Sequence, residues 1–250
     1  MTDLLLIMIL VGLCVPGIWA MSAASGVLLA EKPDNKLSVK SLAILSGVQT
    51  TAIVIASAMA GTYKGPEAGI RDEFLEGLAQ GVWRGSDLLS QLGAGALGGV
   101  VCSFGWLLAY YGWLRKRLDP KTLHIWESMN RRLGLWVRVT SGGIVEEVIF
   151  RWGLLTFILW GLVSLSLEPT LSFWIALLAS GLVFGLAHLP GGLELGAKPT
   201  PLLIWTAVLG NLWVTLFCGY LLYHDGLIAA MIVHILFHVL WYPFERKRVE

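Results

Sequence analysis

The 250-residue sequence predicts an all-α, polytopic membrane helix bundle of about seven transmembrane helices, with room for an eighth. Three observations carry that expectation. Charged residues make up 14% of the chain and apolar residues 56%, against roughly 25% and 45–50% in soluble domains. Mean hydropathy is +0.72, more apolar surface than one small core can hide. The apolar residues also gather in stretches of about 20, the length a helix needs to cross a bilayer with its backbone groups satisfied internally.

The stretches run over 4–29, 41–61, 88–114, 142–167, 172–189, 201–223 and 227–242. The first lacks a basic n-region and carries Asp3, so it reads as a retained span rather than a signal peptide. The third contains Gly95 and Gly99, a small-xxx-small pair that lets helix backbones approach. Between the third and fourth, residues 123–138 mix apolar and basic positions and suit a further helix lying in the membrane interface. No repeat or low-complexity linker interrupts the chain. It reads as one integral membrane domain over 1–250, with less informative N-terminal helices over 1–121 and a richer segment over 142–242.

Loop charges predict orientation. One set of alternating loops holds Lys32, Lys36 and Lys40, then Arg115, Lys116, Arg117, Lys121, Arg131, Arg132 and Arg138, then Lys198, and finally Arg246, Lys247 and Arg248. The other set holds only Lys64, Arg71 and Arg84, outnumbered by Glu67, Asp72, Glu73, Glu76 and Asp87. The basic side is expected in the cytoplasm, giving N-terminus out and C-terminus in. The composition excludes a disordered chain. A net charge of +1 argues against nucleic acid as a partner. Cys14, Cys102 and Cys218 are too few and too dispersed for a disulfide scaffold and read as buried thiols.

Six polar residues lie where the bilayer makes them expensive. Glu146, Glu147 and Arg151 fall in the fourth stretch, His188 in the fifth, and His234 and His238 in the seventh. An ionised group at mid-bilayer costs at least about 2.5–3.5 kcal/mol, so such residues have partners and mark sites. With the predicted orientation, Glu146 lies about 6 Å from the start of its stretch at 1.5 Å per residue, and all six share the cytoplasmic half. That common depth implies one polar cavity open to the cytoplasm. Glu147 and Arg151 are four apart and can pair, as are Phe184 and His188, and His234 and His238. Glu146 lies about 100° around the helix from Glu147. His124 and His224, near loops, read as solvated.

A carboxylate among imidazoles can take a proton from water and make it nucleophilic, and imidazole can stabilise an oxyanion or protonate a leaving amine. The same Glu and His residues are also a conceivable zinc set. The pattern Glu146-Glu147-x-x-x-Arg151, Phe184-x-x-x-His188 and His234-x-x-x-His238 resembles the CPBP family of intramembrane proteases. That family includes the CAAX prenyl endopeptidases and the Abi, bacteriocin-processing and lysostaphin-resistance-like proteins. The matched segment spans 142–241. The resemblance implies an intramembrane endopeptidase in a bacterial plasma membrane, acting on a membrane-associated peptide or protein. It implies that Glu146 activates water with His188, that His234 and His238 stabilise the oxyanion, and that Glu147 and Arg151 support the site. The family usually has Asn or Asp where this chain has His238. Metal-free, glutamate-type chemistry is the favoured expectation. Zinc or another divalent ion held by Glu146, His188, His234 and His238 is the other.

The motifs of other intramembrane proteases, Gly-x-Ser-Gly, His-Glu-x-x-His and Gly-x-Gly-Asp, do not occur. The alternatives from other classes are a transporter or proton- or ion-binding protein using the same cluster, and a non-catalytic family member. The polar groups crowd into the second half, without the paired broken helices of an inverted-repeat transporter, which favours an enzyme. Pro190, Gly191, Gly192 and Pro199 suggest a flexible loop near the cavity mouth, either gating it or simply connecting helices.

Overall fold

The computed structural model describes residues 1–31 and 35–246, with only the backbone of Arg246. Lys32, Lys247 and Arg248, part of the loop-charge reading, lie outside the described residues. Among the described residues ten α-helices follow in order: α1 Thr2–Ala30, α2 Val39–Ala68, α3 Glu73–Ala79, α4 Gly85–Ala109, α5 Pro120–Val137, α6 Thr156–Ser164, α7 Pro169–Ala187, α8 Leu189–Glu194, α9 Pro201–His224 and α10 Leu227–Arg246. Two π-helical segments, Arg138–Val145 and Glu147–Leu155, join α5 to α6. Among the described residues seven helical runs are long and apolar enough to cross a membrane.

Local chemistry sets the helix ends. The hydroxyl of Ser38 caps α2 by accepting from Ser41 N at 3.1 Å, and the Asp119 carboxylate caps α5 through Thr122 N at 3.0 Å. Glu168 caps α7, accepting from Thr170 N and Leu171 N. Thr200 caps α9 through Leu203 N. Each places a side-chain acceptor on an amide that has no partner within its helix.

The fourth span departs from the expected start near Gly142. It is one helical run over Pro120–Ser164, bent at Gly134, whose φ of 71° belongs to the left-handed region that costs glycine nothing. Residues before the bend form the further helix anticipated over 123–138. Arg115, just past the end of α4, clasps Glu127 on α5 at 2.7 Å and 3.2 Å, and Arg132 pairs with Glu31 after α1. Beyond the bend the chain is π-helical on both sides of Glu146, over Arg138–Val145 and Glu147–Leu155, a geometry the i, i+4 pattern did not announce.

Small residues let the spans close up. A methyl group on Gly95 would meet Ala229 O at 2.7 Å, and one on Gly99 would meet Leu236 Cβ at 2.9 Å, so α4 and α10 pack backbone to backbone. Trp152 lies against Gly61 of α2. Around these contacts Leu10, Val54, Trp152, Leu155, Leu177 and Leu222 are essentially inaccessible, whereas Trp19, Leu97, Leu108 and Trp205 are exposed, as lipid-facing residues should be.

The start of α10 is held by side chains from elsewhere. Asp72 is completely buried. Its Oδ1 accepts from Leu75 N at 2.8 Å and Gln91 Nε2 at 3.1 Å, and its Oδ2 from Leu227 N at 2.7 Å and Ile228 N at 3.2 Å. Gln91 Oε1 accepts from Ala229 N at 3.3 Å. One acid therefore ties α3, α4 and α10. Gly226 precedes α10 with φ 124°, and a methyl group there would strike both Gln91 and Asp72.

Candidate active site

Glu146 stands at the junction of the two π-helical segments and Glu147 begins the second. His188 caps the C-terminal end of α7, α9 brings Thr215 and Cys218, and α10 brings His234 and His238. Adjacent carboxylates meet different fates. Glu147 is wholly buried. Its Oε1 lies 2.6 Å from His234 Nδ1, and its Oε2 lies 3.3 Å from Arg151 Nε. Arg151 Nη2 donates to Thr215 Oγ1 at 3.1 Å, which donates to Asn211 O at 2.8 Å. The guanidinium lies over the Phe184 ring, 4.3 Å from its centroid. Glu147, Arg151 and His234 thus form a sealed polar chain, in which removing one member would strand the others.

Glu146 turns to a wetter place. Its carboxylate side chain is 20% exposed and its Oε2 lies 3.9 Å from His188 Nε2, whose side chain is 34% exposed. His188 Nδ1 faces the Phe184 carbonyl at 2.8 Å, so Nδ1–H donates there and the Nε2 lone pair turns to Glu146. Phe184 stands between the two acid–imidazole pairs, with ring centroids 4.7 Å from His188 and 6.0 Å from His234. His238 stacks on His234 at 4.9 Å and accepts from Arg138 Nε at 3.3 Å. His124 and His224 are exposed and stand apart from this group.

The sequence reading grouped Glu146, His188 and His234 in a single cluster. The chain pairs Glu146 with His188 and Glu147 with His234, on either side of Phe184. Arg138, Phe184, Thr215 and Cys218 belong to the surroundings, and of these only Phe184 stood in the sequence pattern. Cys218 and Thr215 lie on α9, where nothing in their local sequence signals polar work. The expected loop at 190–192 is instead the short helix α8, with Gly192 packed under the Trp126 ring.

The expected metal set of Glu146, His188, His234 and His238 does not gather as ligands among the described residues. The group that comes together is Glu147, Cys218 and His234, with potential ligand atoms within 4.8 Å of one another. It fits a divalent ion poorly. Both Glu147 oxygens already face His234 and Arg151, and the Arg151 cation would stand beside the ion. Cys218 Sγ donates to Ala230 O at 3.5 Å, which requires a thiol rather than the thiolate a metal takes.

No curated protein and no solved structure matches the chain. Residues 129–240 match the family model described as type II CAAX prenyl endopeptidase Rce1-like. The matched stretch begins within α5, ends within α10, and contains Glu146, Glu147, Arg151, His188, His234 and His238. Over residues 129–240, somewhat less than half of its length, the chain is similar to the Rce1-like family of type II CAAX prenyl endopeptidases.

Proposed function

We propose that the protein is an intramembrane endopeptidase that hydrolyses a peptide bond in a membrane-associated substrate by metal-free, glutamate-type chemistry. The observation that carries this reading is the Glu146–His188 pair. At 3.9 Å it is too long for a direct hydrogen bond, and both partners are acceptors reachable by water. One water can place a hydrogen on each. Glu146 takes its proton as the oxygen attacks the peptide carbonyl, then passes that proton to the departing amine. His188 Nε2 fixes the water's orientation. His234 and His238 face the oxyanion. Glu147 holds His234 by Nδ1, leaving Nε2 to act, and Arg151 anchors Glu147.

The poor fit of Glu147, Cys218 and His234 to a divalent ion supports the metal-free assignment. The loop charges support a cavity facing the cytoplasm. The family's description makes a C-terminally prenylated CAAX peptide the first substrate to try, with its unprenylated twin beside it.

The test uses purified protein in lipid nanodiscs and these two peptides. Glu146→Gln should reduce cleavage at least about a hundredfold, the scale of general-base catalysis, with unfolding temperature preserved. Cleavage by the Gln variant at the wild-type rate would overturn the assignment of Glu146. Chelators should leave the wild-type rate intact; loss on chelation with recovery on adding zinc would overturn the metal-free chemistry.

A further inference from the structure

A histidine is an unreliable hydrogen-bond donor unless something decides which nitrogen carries the proton. An amide side chain in its place would always present N–H groups. His238 therefore needs a partner that sets its tautomer, and the structure supplies one.

Arg138 begins the first π-helical segment, 6% exposed, and its Nη1 is engaged by Glu245, whose side chain is 4% exposed. That buried ion pair fixes the guanidinium. Its Nε donates to His238 Nδ1 at 3.3 Å. An imidazole nitrogen that accepts from a guanidinium, which has no lone pair to offer in return, carries no hydrogen of its own. The ring proton of neutral His238 is then on Nε2. That atom lies over Gly142, where even a methyl group would come within 2.5 Å of it, and Gly142 is one turn ahead of Glu146. The ring stacks on that of His234 at 4.9 Å and 26°.

We propose that Arg138 is a positioning residue that fixes His238 as the neutral Nε2–H tautomer, so that a single N–H is aimed at the developing oxyanion. The proposal rests on the endopeptidase reading above for its catalytic consequence. Its structural content stands without that reading. Glu245 holds Arg138 in place, Arg138 sets the proton on His238, and Gly142 leaves the room that Nε2 occupies.

Two measurements test it. Protein labelled with 15N-histidine, with His238 assigned by the signal lost in His238→Asn, should show a bare Nδ1 and a protonated Nε2 at about neutral pH. A protonated Nδ1, alone or together with Nε2, would overturn the proposal whatever the enzyme does. The second is a kinetic cycle. Arg138→Gln is made together with Glu245→Gln, so that no buried carboxylate is stranded. This pair should lower kcat about tenfold with KM within about twofold, the pattern of an interaction made in the transition state. In a His238→Asn background, whatever its own rate, the same pair should change kcat by less than about twofold. An equal loss in both backgrounds would reduce Arg138 to a structural brace and overturn the proposal. Glu146→Gln in the same assay separates the two ideas. Undiminished cleavage there removes the catalytic reading, and the tautomer measurement still decides the role of Arg138. Should the Arg138 variant fail to fold, the spectrum of the unaltered protein decides alone.

Discussion

Glu146 and Glu147 are neighbours in sequence with opposite environments, one part-exposed beside His188 and the other sealed against His234 and Arg151. The pairing of Glu147 with Arg151 was legible from their four-residue spacing. The partner of His234 was not, because Glu147 and His234 lie 87 residues apart and no local pattern selects between two adjacent acids. Gly142 was equally silent in the sequence, yet it faces His238 Nε2. Replacing it by Ala should displace that ring. Overpacking of this kind costs about 1–3 kcal/mol, and the cleavage rate should fall further than the loss of folded protein explains, by about tenfold. Gly161→Ala, where the added methyl meets nothing within 4 Å, should leave the rate unchanged and not lower the unfolding temperature. Equal behaviour of the two variants would show that space at His238 is irrelevant.

At the scale of helices, the seven spans were readable because apolar length is a property of contiguous residues. The π-helical form of Arg138–Val145 and Glu147–Leu155 was not, since widening a helix depends on what packs around it. The helix α8 was missed because Pro and two Gly weaken the local preference, while a proline in the first turn and Gly192 under Trp126 favour the helical path. Caps add a pH signature. The amides of Thr170 and Leu171 hold the Glu168 carboxyl below its usual range. A depressed carboxyl contributes stability above its unfolded value and loses it as pH falls through its folded value. Hydrogen-exchange protection in the first turn of α7 should therefore decline on acidification below about pH 4, after correction for intrinsic exchange. The first turn of α9, capped by the non-titrating Thr200 hydroxyl, should hold its protection. A fall at α9 matching that at α7 would mean general loosening instead of uncapping.

The whole molecule depends on contacts that no window of sequence contains. Asp72 reads as one more acid in an acidic loop, yet it joins α3, α4 and α10 across 155 residues. Burial pushes its carboxyl above the ordinary range while the four donors pull it down. Its removal would leave the amides of Leu227 and Ile228 without an acceptor at the head of the helix that carries His234 and His238. Each stranded buried donor costs about 1–3 kcal/mol. Asp72→Ala should therefore lower stability by about 3 kcal/mol or more, measured as denaturant unfolding in detergent. A loss under about 0.5 kcal/mol, usual for a surface change, would show that water replaces the carboxylate there.

Cys14, Cys102 and Cys218 are free thiols, each wholly inaccessible. Membrane-impermeant maleimides thus find nothing to modify on the native chain, and no cysteine needs to be engineered away first. A single thiol introduced at Lys198 or at Glu168 becomes the sole reporter, and its labelling in intact cells says which end of the bundle faces outward.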